Sequence, residues 1–134
     1  MGEILFRGKR KDNGEWVEGK GIDLNFDVPY ILTKEYDCGT GYYMDELEVI
    51  PETVGQYTGL TDKNGKKIFE GDIVQSEIDG GAYNKFMFPA GVVVFENGAF
   101  CIKDKKEVTP LASYSPRVNI EIIGNIHDNP GLLN

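Results

Sequence analysis

Short runs in which apolar and polar residues alternate, separated by turn-forming pairs, dominate this chain. A period of two is typical of β-strands, because successive side chains of a strand point to opposite faces of the sheet. Residues 54–59 and 118–124 follow this period. No segment keeps apolar residues at the spacing of an amphipathic helix over three turns. The pattern therefore predicts a mainly β protein with little helix.

Asn-Gly pairs mark the predicted hairpins. Asn13-Gly14 lies between a strand at 3–10 and a returning strand at 15–18, and Asn97-Gly98 lies between two apolar runs. Asn and Gly adopt positive φ at low cost, so such pairs favour tight hairpin turns. Asn64-Gly65 indicates a third turn within residues 62–65. Across the first hairpin we expect Phe6 to meet Trp16, with the basic side chains pointing outward.

The rest of the chain is expected to add short strands and one long hairpin. Residues 19–43 have the weakest pattern, with a short strand expected at 28–32 and a loop rich in glycine and tyrosine at 36–43. A long hairpin or excursion is expected between 75 and 91. The C-terminal elements expected are an edge strand (107–111), a closing strand (118–124) and one helical turn begun by Pro130.

Charge is concentrated in one third of the chain. The 134 residues carry a net charge of −8, and residues 21–58 hold eight acidic side chains against Lys34 alone. A solvated face is the expected role of these acids, with loose binding of a divalent cation as the alternative. Because an acidic surface repels phosphate, the composition disfavours non-specific binding to nucleic acid.

The length of the chain fits one domain with its own core. No run of about 18 apolar residues predicts a membrane span, and the N-terminus lacks an apolar signal core. A cytoplasmic location is therefore expected. The two cysteines, Cys38 and Cys101, are expected to be free thiols, because a cytosolic domain of this size rarely needs a disulfide.

Three blocks of the sequence resemble one protein family. The central block runs through residues 51–74 and contains Gly55-Gln56-Tyr57, the turn at 62–65 and the segment Glu70-Gly71-Asp72. Together with the two ends of the chain, residues 6–17 and 122–133, it resembles the YopX family of small bacteriophage and prophage proteins. The resemblance implies a phage or prophage origin and brings no established biochemical activity.

The segment Glu70-Gly71-Asp72, followed by the apolar pair Ile73-Val74, has a second resemblance. In small SH3-like barrels a strand commonly begins with this pattern. By this analogy of fold, we expect residues 59–134 to form an SH3-like, partly open β-barrel. An N-terminal β-hairpin part with the acidic segment, residues 1–58, is expected to pack with it in a single domain.

The sequence contains no recognisable catalytic or metal-binding motif. His127, the only histidine, lies beside Asp128, and a surface turn is its expected place. Glu70 and Asp72 have the spacing of an acid–base pair, but we expect Asp72 to cap a turn by accepting backbone N–H bonds. The turn at 62–65 lacks the glycine and acidic spacing of a calcium loop. We therefore predict no enzyme activity, no cofactor and no metal.

The aromatic and apolar residues outside the expected core suggest a protein-binding module. The run Phe86-Met87-Phe88 predicts either a strand buried on both faces or an exposed contact patch. Tyr42 and Tyr43 either bind a partner or cover a sheet face. These five residues are the candidate partner-binding set. The expected partner is a host or phage protein, with self-association of the chain left open.

Two other classes of function stay open. A nucleic-acid role has two forms: a barrel that binds nucleic acid through the basic tip Lys9–Lys11, or an acidic segment that imitates DNA. For the basic tip, a solvated hairpin end that blunts strand pairing is the simpler interpretation. An enzyme would need an unfamiliar site around Glu70, Asp72 or His127.

Overall fold

A computed structural model describes residues 3–24, 27–37, 39, 42–79, 85–114 and 118–133. These residues form three antiparallel sheets and no α-helix, which confirms the mainly β prediction. The strands are β1 (Phe6–Lys9), β2 (Trp16–Gly19), β3 (Gly21–Asp23), β4 (Tyr30–Asp37), β5 (Tyr42–Glu48), β6 (Gly55–Thr61), β7 (Lys67–Phe69), β8 (Asp72–Asp79), β9 (Lys85–Met87), β10 (Gly91–Glu96), β11 (Ala99–Lys103), β12 (Val108–Pro110) and β13 (Val118–Asn125). Short 3₁₀ turns lie at Pro51–Thr53, Leu111–Ser113 and Pro130–Leu133.

The chain divides into two compact units, Met1–Tyr57 and Thr58–Asn134. β6 begins in the first unit, where it pairs with β1, and ends in the second. No helix of the described residues has the length and apolar composition that crossing a bilayer requires.

The first unit contains the hairpin of β1 and β2, whose turn was predicted correctly and whose register was not. Lys9 lies opposite Trp16, and Phe6 lies opposite Gly19. Arg10 N–H donates a hydrogen bond to the Glu15 carbonyl, and the loop between these two residues has four residues. The length of the loop decides which side chains of the two strands share a face of the sheet. The expected contact of Phe6 with Trp16 is therefore wrong, because the two side chains point to opposite faces.

The Phe6 face of this hairpin packs on buried apolar residues of the same unit. Ile31 and Val49 are fully buried. A Cβ at Gly8 would lie 2.9 Å from the Val49 Cβ, and a Cβ at Gly19 would overlap the carbonyl oxygen of Leu32. These two glycines thus let the hairpin lie close against the neighbouring strands.

β3, β4 and β5 form a second sheet of the first unit, and its hairpin is longer than the sequence predicted. Tyr36 pairs with Tyr43, and Asp37 pairs with Tyr42, so these residues belong to strands. The prediction of a loop over 36–43 is therefore wrong. Tyrosine is a strong strand former, and its preference extends the ladder to both sides of the glycine-rich tip.

The second unit is built on a sheet with the strand order β12-β11-β10-β8-β13, and β9 also pairs with β8. The hairpin predicted between 75 and 91 is formed by β8 and β9. The edge strand and the closing strand are confirmed as β12 and β13 at the two ends of the order, and the 3₁₀ turn begun by Pro130 is confirmed as well. The SH3-like barrel stays a prediction.

The Asn97-Gly98 turn joins β10 and β11 as predicted. Both residues have positive φ, 54° and 78°, and Glu96 pairs with Ala99 across the turn. The two strands joined by this turn, β10 and β11, contribute to a buried core of the second unit. Its members are Ile68, Val74, Val93, Ile102 and Leu111.

Candidate functional site

Asp62, which begins the turn at 62–65, is buried and binds backbone N–H groups. Its Oδ1 accepts hydrogen bonds from the N–H groups of Asn64 and Lys66, each at 2.9 Å. Its Oδ2 accepts from Ile122 N–H of β13 at 3.1 Å. Burial opposes ionisation of this carboxyl, but the three N–H donors outweigh it and lower the pKa of Asp62. The carboxylate of Asp62 therefore stabilises the turn and joins it to β13.

The same turn covers the outer edge of β13. Lys63 N–H donates to the carbonyl of Ile120 at 2.8 Å, and its ammonium lies 3.3 Å from the Glu121 carboxylate. β13 ends its sheet and has β8 as its strand neighbour. The turn thus occupies backbone groups of β13 that no strand pairs.

Asp72 caps the turn before β8, as predicted. Its Oδ2 accepts a hydrogen bond from Phe69 N–H at 2.8 Å, and its side chain is buried. Gly71 has a φ of 89°, and its N–H donates to the carbonyl of Val93. The carboxylate therefore stabilises the backbone that leads into the central strand.

His127 lies in a turn at the end of β13. Asn125 Oδ1 accepts from the N–H groups of His127 and Asp128 at 3.0 and 2.9 Å. The structure brings this turn beside the Glu70–Asp72 turn, because Asn125 pairs with Asp72 and Ile126 N–H donates to the Gly71 carbonyl. Among the described residues, no group of three or more metal-ligating side chains is placed to hold an ion.

The basic tip of the first hairpin is largely paired with acids and an aromatic ring. The Arg10 guanidinium lies 2.7 Å from Asp12, and the Lys11 ammonium lies 3.0 Å from Glu48. The Lys9 ammonium lies 5.7 Å from the centre of the Trp16 ring. These contacts reduce the positive potential that the tip offers to a phosphate.

Met87 and Phe88 are exposed, which favours the contact-patch interpretation of this run over the buried one. Met87 is 63% exposed and Phe88 is 40% exposed. The side chain of Phe86 lies outside the described part of the structure, and its backbone pairs with Ile78 in the ladder of β8 and β9. The side chains of Tyr42 and Tyr43 also lie outside the described part, with their backbones in β5.

A groove of about 280 Å³ begins directly after Phe88 in the second unit. We call it the C-terminal groove, and its lining is Pro89, Ala90, Asp104, Lys105, Lys106, Leu132 and Leu133. Leu132 is 43% exposed. A Cβ at Gly124 would lie 2.8 Å from Leu132 Cδ1, so the missing side chain at 124 leaves room for this leucine.

Sequence reasoning missed this groove. Leu132 and Leu133 lie in the block 122–133 that resembles the family, and Lys105 and Lys106 lie between β11 and β12. Three segments far apart in the sequence form the lining. The one available signal was an apolar pair that follows a turn-forming, polar stretch near the end of the chain.

A second cavity, of about 400 Å³, lies in the first unit. Its lining is Arg10, Lys11, Asp12, Tyr30, Glu46, Leu47 and Glu48. Its two cations already form the ion pairs with Asp12 and Glu48. Both cations of the lining are therefore paired, and Glu46 leaves it with one acid in excess.

Cys101 is buried and its thiol is free, as predicted. Its sulfur lies 3.5 Å from the Ala99 carbonyl oxygen. Cys38 lies outside the described residues. The thiol of Cys101 is part of the packing of β11 and offers no accessible nucleophile.

The fold and these sites define a small all-β protein whose buried acids Asp62 and Asp72 bind backbone and whose apolar residues line an open groove. The chain belongs to the YopX family: the sequence model of that family, described as YopX protein, matches residues 5–134. It is also similar to the crystal structure of protein EF1440 from Enterococcus faecalis, with 24% identity, a TM-score of 0.65 and 98% of each chain covered. This second likeness concerns the fold alone. Among curated proteins none matches the chain.

Proposed function

We propose that this YopX-family protein is a non-catalytic accessory protein of a phage or prophage that works in the host cytoplasm as a protein-binding module. One observation carries the proposal: Met87 and Phe88 are exposed, and they directly precede in the chain the residues Pro89 and Ala90 that line the C-terminal groove. Exposed apolar residues that adjoin a groove are typical of protein contact sites. The expected partner is a host or phage protein.

The roles of the acids support a function without catalysis. Asp62 and Asp72 are the buried acids of the family-like central block, and each accepts backbone hydrogen bonds at the start of a strand or turn. Carboxylates held in this way stabilise the fold. They are poorly suited to proton transfer, because their lone pairs are directed at fixed donors.

Affinity capture with matched variants tests the proposal. The bait is the full chain, as wild type, as Met87→Ser/Phe88→Ser and as Phe95→Ser/Val108→Ser. The control pair removes apolar residues of comparable exposure, 54% for Phe95 and 39% for Val108, at another place in the same unit. Circular dichroism and thermal unfolding establish that all three baits are folded.

The wild type and the control are expected to capture the same partner from cells that carry the phage, and the Met87/Phe88 variant is expected to lose it. A partner that the Met87/Phe88 variant retains in full would refute the proposed surface. Sedimentation equilibrium of the purified wild type distinguishes a foreign partner from a second copy of the chain. A dimer that dissociates in the same variant would assign the surface to self-association.

A further inference from the structure

We propose that the C-terminal groove binds a peptide segment of the partner in which a carboxylate lies next to a large apolar side chain. This inference rests on the proposed function and adds the chemistry of the ligand. The lining has an apolar part, from Pro89, Ala90 and the two leucines, and a charged part, from residues 104–106. A ligand that matches both parts needs an apolar group and a negative charge within a few bonds of each other.

The apolar part comes from two segments of the second unit. Pro89 and Ala90 continue the exposed run from Met87, and Leu132 and Leu133 lie on the 3₁₀ turn at the end of the chain. That turn is held by a hydrogen bond from Leu132 N–H to the Asn129 carbonyl at 3.1 Å. The leucines are therefore presented on a defined backbone, which lowers the entropic cost of binding.

The charged part is the turn between β11 and β12. Asp104 Oδ1 accepts from the N–H groups of Lys106 at 2.7 Å and Glu107 at 3.0 Å. These two N–H donors, together with the nearby Lys106 ammonium, lower the pKa of Asp104. Lys105 and Lys106 are exposed, and no carboxylate of the described residues forms an ion pair with Lys105.

Charge complementarity therefore favours an acidic ligand at this place. The second unit as a whole is nearly balanced, with eight basic and ten acidic residues at 58–134. At physiological salt, charges act over about 8 Å, and the lining of the groove holds two cations, Lys105 and Lys106, against one acid, Asp104, so its net charge is positive. The cavity of the first unit lacks this property, because its cations are paired within the lining.

The groove is small, with a volume of about 280 Å³. We expect it to hold one anchoring side chain of a peptide, with the rest of the peptide lying outside. Met87 and Phe88 are exposed directly before Pro89 in the chain, and we expect them to add apolar contact to the part of the peptide outside the groove.

A displayed library of random heptapeptides, selected on the immobilised full chain, tests the inference. The enriched peptides are synthesised with a fluorescent label, and their affinities are measured by anisotropy. The variants are Lys105→Glu/Lys106→Glu, Leu132→Ser/Leu133→Ser and Met87→Ser/Phe88→Ser. Lys20→Glu/Lys66→Glu is the matched control, because it changes the net charge equally at exposed lysines outside the groove.

Enriched peptides are expected to contain Asp or Glu beside a large apolar residue. Their affinity is expected to fall by on the order of tenfold in the Lys105/Lys106 variant and at high salt. The leucine variant is expected to weaken binding, and the lysine control to preserve it. Decanoate, an anionic amphiphile, is expected to displace the peptide only weakly.

Failure of this inference differs from failure of the proposed function. Peptides without an acidic preference, equal affinity for the Lys105/Lys106 variant, or no enrichment at all would overturn the inference. Tight displacement by decanoate would do so too, because it would assign the groove to a lipid-like ligand. In each case the proposed function stands if the captured partner is still lost on changing Met87 and Phe88.

Discussion

Asp62 connects two parts of the second unit through one side chain. Its Oδ1 closes the turn at 62–65, and its Oδ2 reaches Ile122 of β13, sixty positions further along the chain. A buried N–H group that loses its acceptor costs about 1–3 kcal/mol. The stability of this unit should therefore depend strongly on Asp62, for which the sequence predicted a place in a turn but no contact with a distant strand.

Asp62→Asn is expected to lower the free energy of unfolding by about 1–3 kcal/mol. The amide keeps one acceptor oxygen, but its NH₂ group faces the N–H of Ile122 or of the turn. Urea denaturation measures the loss. Asp12→Asn, at an exposed acid, is the control and should leave the urea midpoint close to that of the wild type. Equal stability of wild type and Asp62→Asn would contradict the assigned role.

The acid dependence of stability follows from the lowered pKa of Asp62. A carboxyl whose pKa is lower in the folded state stabilises the fold above its unfolded pKa of about 3.9, and this stabilisation is lost as the pH falls through the folded pKa. The wild type is therefore expected to lose its advantage over Asp62→Asn below about pH 4. Urea midpoints measured across this range give the comparison, and a difference that is independent of pH would contradict it.

At the scale of elements, the 3₁₀ turn Pro51–Thr53 is joined to β1 by one hydroxyl. Thr53 Oγ1 accepts from Lys9 N–H at 2.9 Å and donates to the Ile50 carbonyl at 2.6 Å. The side chain is buried. It thus satisfies a backbone group of β1 at the point where the strand ends and its hairpin loop begins.

Thr53→Val is expected to cost about 1–3 kcal/mol, because valine keeps the shape of threonine but leaves Lys9 N–H without this acceptor. The single tryptophan, Trp16 on β2, gives a fluorescence signal for unfolding of this unit. Thr53→Ser keeps the hydroxyl and should recover most of the stability. If valine and serine destabilise the protein equally, the hydrogen bond is not the cause.

Local turn chemistry made some elements predictable from the sequence. Asn97-Gly98 and Asn64-Gly65 specify their turns through residues that adopt positive φ, and neighbours in the chain suffice to read them. The predicted register of the first hairpin was wrong. The length of the loop decides whether Phe6 and Trp16 share a face, and the Asn-Gly pair alone does not specify that length. The extent of β4 and β5 was missed, because the tyrosines near the tip join a ladder that composition did not reveal.

The candidate site was predictable only where it is local. The exposed run at Met87 and Phe88 is continuous in sequence, and exposure was one of two stated alternatives. The C-terminal groove combines Leu132 and Leu133 with Lys105 and Lys106, whose proximity depends on the order of strands in the sheet. Residue types alone do not report such an arrangement.

For the whole molecule, charge makes the most direct prediction. The chain carries −8, and two of the three cations at the hairpin tip form ion pairs with Asp12 and Glu48. Affinity for nucleic acid depends on unpaired cations that displace counterions from the phosphates. The basic tip is therefore expected to bind duplex DNA weakly.

No retarded band is expected when the purified protein is mixed with duplex DNA at low salt. Lys9→Gln/Lys11→Gln is expected to behave like the wild type. A shift that the wild type gives and this variant lacks would show that the tip binds DNA. Competition for a DNA-binding host protein, without direct binding to DNA, would instead support imitation of DNA by the acidic segment.

β13 is the last strand of its sheet, and an open strand edge is a template onto which another polypeptide can add. The bonds from Asp62 and Lys63 to the backbone of Ile122 and Ile120 close that template. Addition of a strand from another chain, which is the step that starts aggregation, is therefore disfavoured along this part of the edge. A turn of four residues is therefore expected to reduce edge-to-edge association of the protein at this strand.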